Sequence, residues 1–239
     1  MRFLLTLFVL LTFSSNLFAK NQVLYSAQYE GEISGFPVDL TRTLYKTGVD
    51  QYLSQSEASN LLGSIKEKSE FFIKEGILHP KYYEERKKAL GISRIERIQF
   101  DWKTLTAQYT SKKKPEKNTT HNIFSGVLDP AIYQLQLQRD AFNQKKKFNF
   151  KFVKKERINE RNYVLIGQEE ILVKEKKYLA LKYERINLDD EKQTRIWFIP
   201  ELNYQIGRIQ HQEKDGKTSE LNLVNYNGSK QLTDEIYKR

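Results

Sequence analysis

The chain predicts a mainly β protein: a single strongly curved antiparallel sheet, or an incomplete barrel, of about a dozen strands with one helix packed on it. Three observations predict it. Apolar residues alternate with polar ones at period two in segment after segment from Val23 to Tyr226. Turn residues such as Gly48 with Asp50, and Glu75-Gly76, interrupt those segments at hairpin spacing. One stretch alone, Ala131 to Phe142, repeats its apolar residues at helical spacing.

In chain order, Val23, Tyr25, Ala27 and Tyr29 form one face of a first strand that ends at Gly31. Gly35 and Pro37 turn the chain into Val38 to Tyr45, and Gly48 with Asp50 turns it again before Tyr52 to Ala58. Asn60 to Ile65 reads as a connector and Lys66 to Ile73 as a strand. Lys81 to Lys88 is so heavily charged that it reads as a strand with one solvated face or as an edge. Ile98, Phe100 and Trp102, followed by Leu105, Ala107 and Tyr109, describe a hairpin with one buried face. Lys112 to His121 reads as a polar loop.

Asp129 and Pro130 suit the cap and first position of the helix, whose apolar stripe is Ile132, Tyr133, Leu135, Leu137 and Ala141. The concave side of the sheet is the place to bury that stripe. Strands resume with Phe148, Phe150 and Phe152, then Tyr163 to Leu172. A three-strand meander follows: Leu179 to Tyr183, a polar loop at Asp189, Asp190 and Glu191, Gln193 to Ile199 stopped by Pro200, and Leu202, Tyr204 and Ile206. Glu220 to Tyr226 is the last strand, and Lys230 to Arg239 shows no strong pattern.

Residues 1–19 have one positive charge (Arg2), an apolar run from Phe3 to Phe13 and a small residue, Ala19, at the end of a polar stretch. Those are the parts of a cleaved secretory signal peptide, and the run is short of the roughly 20 residues that span a bilayer. Residues 20–239 then form one β-rich domain with its core in 23–226. A lipoprotein needs a cysteine at its cleavage site. The chain contains no cysteine, so disulfides and thiolate chemistry are excluded in the periplasm to which the signal directs it.

The net charge of +10 fits an anionic envelope surface, a lipid or an envelope protein as partner. Nucleic acid is not expected, since an exported protein rarely meets it and no recognition motif is present. Lysine runs such as Lys112 to Lys114 and Lys145 to Lys147 read as solvated loop and edge residues. Three histidines, His79, His121 and His211, lie far apart without ligand spacing, so no metal is expected. Asp189, Asp190 and Glu191 lack the alternation and central glycine of a calcium loop. No nucleophile elbow, phosphate loop or dinucleotide fingerprint is present, and no cofactor is expected. Carboxylate pairs such as Glu84 with Glu85, or Asp101 beside Trp102, are permitted but unspecific. Trp102, Tyr133 and Trp197 are the candidate ligand-binding residues: they come from two strands and the helix and could line a cavity between sheet and helix.

The order of several of these motifs carries a resemblance. A strand such as Tyr25 to Gly31 and a Gly-x-Pro turn (Gly35, Pro37) lead to Phe100-Asp101-Trp102. A helix start at Leu128-Asp129-Pro130 and a Trp197 strand ending at Pro200 follow. Across most of residues 23–226 this resembles the bacterial domain of unknown function 3108 family. The resemblance implies a mostly antiparallel β protein of the Gram-negative periplasm with no agreed activity, and it supplies no site residues. The leading reading is a non-catalytic protein that binds a lipid-like or amphipathic envelope component. The alternatives are an envelope scaffold and a carboxylate-dependent hydrolase of a cell-wall polymer.

Sequencing the N terminus of the exported protein is expected to give a start at or near Lys20. Met1 on membrane-bound material would contradict the signal-peptide reading.

Overall fold

The period-two segments pair with their neighbours in sequence, as expected where each strand ends in a tight turn and the next can return beside it. The computed structural model describes residues 21–186 and 192–238; the signal segment 1–19 and the Asp189 to Glu191 loop lie outside them. The strands are β1 (Gln22–Ile33), β2 (Phe36–Gly48), β3 (Gln51–Asn60), β4 (Gly63–Lys74), β5 (Ile77–Ala89), β6 (Ile92–Asp101), β7 (Thr106–Ser111) and β8 (Thr119–Asn122). After α1 (Tyr133–Phe142) come β9 (Lys147–Lys154), β10 (Arg157–Val173), β11 (Lys176–Ile186), β12 (Gln193–Ile199), β13 (Gln205–Gln212) and β14 (Thr218–Gly228). All fourteen form one sheet, in which β14 pairs with β1 and the edges are β8 and β9.

The two edges face each other across a seam. The chain between β8 and α1 fills it: Leu128 donates to the Lys151 carbonyl at 2.9 Å, and Val153 donates back to the Leu128 carbonyl at 3.0 Å. On the other side of this segment Ile123 donates to the Leu105 carbonyl at 2.9 Å. Nearer the turns, the ion pair Lys117–Glu156 (2.6 Å) and the contact of His121 Nε2 with the Lys155 carbonyl (2.9 Å) hold the edges together. The result is a nearly closed antiparallel barrel, as the alternation predicts.

The helix lies within the barrel and buries more than its apolar stripe. Leu135, Leu137 and Ala141 are buried, and so are Gln138, Arg139 and Asp140. Each of these polar groups has a partner, as buried polar groups require. Gln138 donates to Gln205 at 2.7 Å, which donates to the Tyr29 hydroxyl at 2.6 Å. Arg139 donates to the Gly76 carbonyl, and Asp140 accepts from Gln136 and pairs with Lys145 at 2.8 Å. Asp129 accepts from the amides of Ala131 (2.8 Å) and Ile132 (3.0 Å), so it starts the helix as its sequence suggests, although regular α geometry begins only at Tyr133.

Four segments differ from the sequence reading. Asn60 to Ile65 is a tight turn running into β4, and the polar loop 112–121 holds a single 3-10 turn, Pro115–Lys117, and most of β8. Leu202 closes another 3-10 turn, and β13 begins only at Gln205, because Asn203 and Tyr204 both adopt left-handed conformations that reverse the chain. The patternless C terminus is a π-helical turn, Thr233–Tyr237, whose Ile236 and Tyr237 are buried together with the preceding Leu232. It is pinned to β2 and β3 by Lys46–Glu235 (2.6 Å) and by the Tyr52 hydroxyl on Glu235 (2.8 Å).

Leu137→Asp is expected to destabilise the fold by about 4 kcal/mol or more, because no partner awaits a charge at this fully buried position. Thermal melting checks it; a shift within a degree or two of wild type would contradict the buried placement.

Candidate functional site

In an up-and-down barrel every second turn lies at the same end. Helix α1, the C-terminal turn and a ladder of rings (Phe148 on Tyr183 at 4.4 Å, Tyr52 on Phe71 at 5.3 Å) fill one half of the interior. The other half opens at the end marked by the β1–β2, β3–β4 and β5–β6 turns. Cross-strand register sets what lines it. Arg42, Ser56, Glu67, Glu85, Glu96 and Ser111 stand opposite one another in turn, forming a single polar row on the core-facing side of β2 to β7. One row deeper, Leu44, Ser54, Ser69, Tyr83, Ile98 and Tyr109 close onto the core.

Three adjacent glutamates repel unless each is neutralised. Glu67 accepts from the Tyr83 hydroxyl at 2.6 Å and from Ser56 at 3.1 Å; Glu85 pairs with Lys87 at 3.1 Å and Glu96 with Arg94 at 3.7 Å. The opposite wall is basic. Arg161 on β10 lies over the Phe152 ring (5.4 Å), and Arg185 on β11 stands across from Tyr163. Arg42 and Arg161 lie within electrostatic reach of the Tyr133 hydroxyl, as does Glu67, and Tyr133 within that of Arg185. Burial and the neighbouring Arg161 lower the Arg185 pKa, and among the described residues its Nε has no hydrogen-bond partner. Three arginines and one carboxylate thus lie within electrostatic reach of one tyrosine.

Above this floor lies an apolar lip. Ile33, Val38, Ala58, Leu62, Ile65 and Ala89 line a pocket of about 270 Å³ at the mouth. A second pocket, about 660 Å³, lies along β2 to β5 and is lined by Asp39, Thr41, Gln55 and Lys66 among others. Several of its charges neutralise one another in pairs, Lys66–Glu57 (2.8 Å) and Arg86–Glu84 (2.5 Å), which leaves little field for a ligand.

The three sequence candidates fall in three places. Tyr133 stacks between Phe150 (5.3 Å) and Phe152 (5.1 Å) on the floor of the open half. Trp102 belongs to a satellite cluster with Phe100 and Tyr83 near the other end, where its Nε1 donates to the Pro80 carbonyl at 2.7 Å. Trp197 is 2% exposed and faces away from Tyr183 and Phe198, between Lys182 (5.0 Å) and Arg208 (5.3 Å), with Nε1 donating to Glu169 at 3.2 Å. The β10–β11 hairpin covers that region after a bulge at Gly167. Gly207 permits the approach, since a Cβ there would stand 2.4 Å from Ile171 Cδ1. Among the described residues no ring contact joins any two of the three.

The carboxylate candidates also separate. Glu84 and Glu85 point to opposite faces of β5. Burial pushes the Glu84 carboxyl up, but hydrogen bonds from Arg86, Arg97 and Tyr82 outweigh it and hold the group at about 2. Asp101 accepts from the amides of Lys103 and Thr104 and fixes a turn. No group of three metal-ligating side chains is found among the described residues. The arginines of the floor were missed because β10 and β11 extend beyond the strands read as Tyr163 to Leu172 and Leu179 to Tyr183, and Arg161 and Arg185 lie in those extensions. The usable signal was charge on both faces of strands that are not edges.

Burial raises the carboxyl of Asp129 to about 6, against hydrogen bonds from Ser69 and the two helix-start amides. A raised folded-state pKa contributes stability that is present below the unfolded value near 4 and is lost as pH rises through about 6. Asp129→Asn keeps an acceptor for the amides without the charge. Its melting temperature is expected to gain on wild type between pH 4 and pH 7; a constant difference would contradict the assignment.

The model of the family described as protein of unknown function (DUF3108) matches residues 27–222. The crystal structure of a β-barrel-like protein of domain of unknown function DUF1849 from Brucella abortus is similar in fold, with a TM-score of 0.52 and 11% identity over 87% of this chain and 98% of that one. No curated protein matches the chain.

Proposed function

We propose, for a chain that belongs to the DUF3108 family, a non-catalytic role: binding an amphipathic envelope component with an anionic head group in the open half of the barrel. The observation that carries this reading is the stacking of two unlike zones in one mouth. The apolar lip formed by Ile33, Val38, Ala58 and Ile65 lies above a floor where Arg42, Arg161 and Arg185 are within electrostatic reach of Tyr133. An acyl chain alone does not suit the charged floor, since burying charge against hydrocarbon is costly. A carboxylate or phosphate on the arginines, with the first methylenes of the chain on the lip, satisfies both zones.

The filled half argues against a deep hydrocarbon tunnel. Arg185 Nε, without a hydrogen-bond partner among the described residues, is the group that an anionic oxygen would complete. The signal-like composition of residues 1–19 supports a periplasmic encounter, where such amphiphiles border the membranes. An envelope scaffold remains the alternative, favoured by the exposed apolar residues at the mouth.

Binding is measured with dodecyl phosphate as the anionic probe and dodecyltrimethylammonium as the cationic control. The wild-type chain is expected to bind the phosphate alone, and Arg161→Gln/Arg185→Gln to weaken it by about tenfold or more. Melting should not fall, because the change relieves two neighbouring like charges. Equal affinity for both probes, or unchanged binding by the double variant, would contradict the proposal.

A further inference from the structure

We infer that the rim of the open end is a docking surface for an anionic lipid bilayer. The inference goes beyond the lumen's occupant, since it concerns the turns around the mouth. Three successive hairpins place apolar side chains there in solvent: Phe36 beside the β1–β2 turn, Leu61 at the β3–β4 tip, and Leu90 and Ile92 at the β5–β6 turn. Leu61 is 99% and Leu90 81% exposed.

The turns themselves do not call for these residues. Leu90 has a φ of 48°, a left-handed conformation that suits asparagine or glycine and costs a leucine about 1 kcal/mol or more. The β3–β4 turn is held by Asn60, whose side chain accepts from the amides of Leu62 (2.9 Å) and Gly63 (3.0 Å), so the Leu61 side chain has no part in it. Residues that the fold neither buries nor needs point to something outside the protein.

Farther round the same rim the tips change from apolar to basic. Lys112, Lys113 and Lys114 are exposed between β7 and β8, and Lys154 is exposed beside the β9–β10 turn. The Lys117–Glu156 ion pair shows that these two turns adjoin. Apolar tips that would sink a few ångströms into the head-group region, with lysines beside them, match the chemistry of an anionic bilayer surface. A protein partner would call for a continuous complementary face, whereas these tips stand apart around a wet mouth. Docked this way, the mouth faces the bilayer.

The test is flotation of the purified protein with vesicles of phosphatidylcholine and phosphatidylglycerol, about 7:3, against phosphatidylcholine alone. Wild type is expected to bind the anionic vesicles preferentially and to be released by salt. Leu61→Ser/Leu90→Asn should weaken that binding about tenfold or more with melting unchanged, and Lys112→Glu/Lys113→Glu/Lys114→Glu should abolish the anionic preference. Val49→Ser, at an exposed tip of the opposite end, should bind as wild type does. All variants share the same N terminus, so any contribution from it cancels. The lumen pair Arg161→Gln/Arg185→Gln should float normally, which separates a failure here from a failure of ligand binding. Wild type that does not float, rim variants that float as well as wild type, or a Val49→Ser defect as large as theirs would overturn the inference. So would a dimer abolished by the rim variants without vesicle binding, which would assign the rim to a second copy.

Discussion

A nearly closed sheet of fourteen strands encloses more space than its own side chains can fill. About eight strands make an interior that side chains just occupy, and sixteen or more leave an aqueous channel. This chain must therefore put backbone inside its barrel or leave the barrel wet, and it does both. Helix α1 and the C-terminal turn occupy one half, tied to the wall by Gln138–Gln205–Tyr29 and by Lys46–Glu235. Among the described residues the other half has no such filler. Its wall is polar, although Arg42, Glu96 and Ser111 in it are themselves buried.

The same constraint explains how the seam is made. An exposed pair of sheet edges invites aggregation. Here the segment leading to α1 lies between β8 and β9, bonds to β9 through Leu128, and then turns inward at Asp129. One stretch of chain thus closes the barrel and delivers its filler. The cost is a fully buried carboxyl at Asp129, which Ser69 and two amides satisfy.

Much of this was legible in the sequence. Alternation such as Phe148, Phe150, Phe152 survives because one face of each strand meets the aromatic core. Asp129-Pro130 marks the helix start through local chemistry that does not depend on tertiary context. The C-terminal turn escaped notice because three buried residues, Leu232, Ile236 and Tyr237, are too few to show a period. The charged row escaped for a different reason. Lys81 to Lys88 reads as a strand with one solvated face or as an edge; β5 is an interior strand, and its charged residues Glu85 and Lys87 lie on the lumen-facing side. Of the three proposed ligand residues, Tyr133 alone lies on the lumen floor. Spacing along a strand reveals which side chains share a face, but not whether that face meets solvent, core or a covering hairpin, as happens to Trp197 under β10–β11.

The account rests on one half of the barrel being filled and the other open to water, and the absence of cysteine makes that directly measurable. Ser56 and Ser54 are neighbours on the same side of β3, one in the polar row and one in the row that closes onto the core. Single-cysteine variants Ser56→Cys and Ser54→Cys are compared for reaction with a charged thiol reagent under native conditions. The account predicts rapid labelling at position 56 and protection at position 54 until the protein unfolds. Equal protection at both would mean a barrel filled throughout, and would contradict the open lumen on which the functional reading depends.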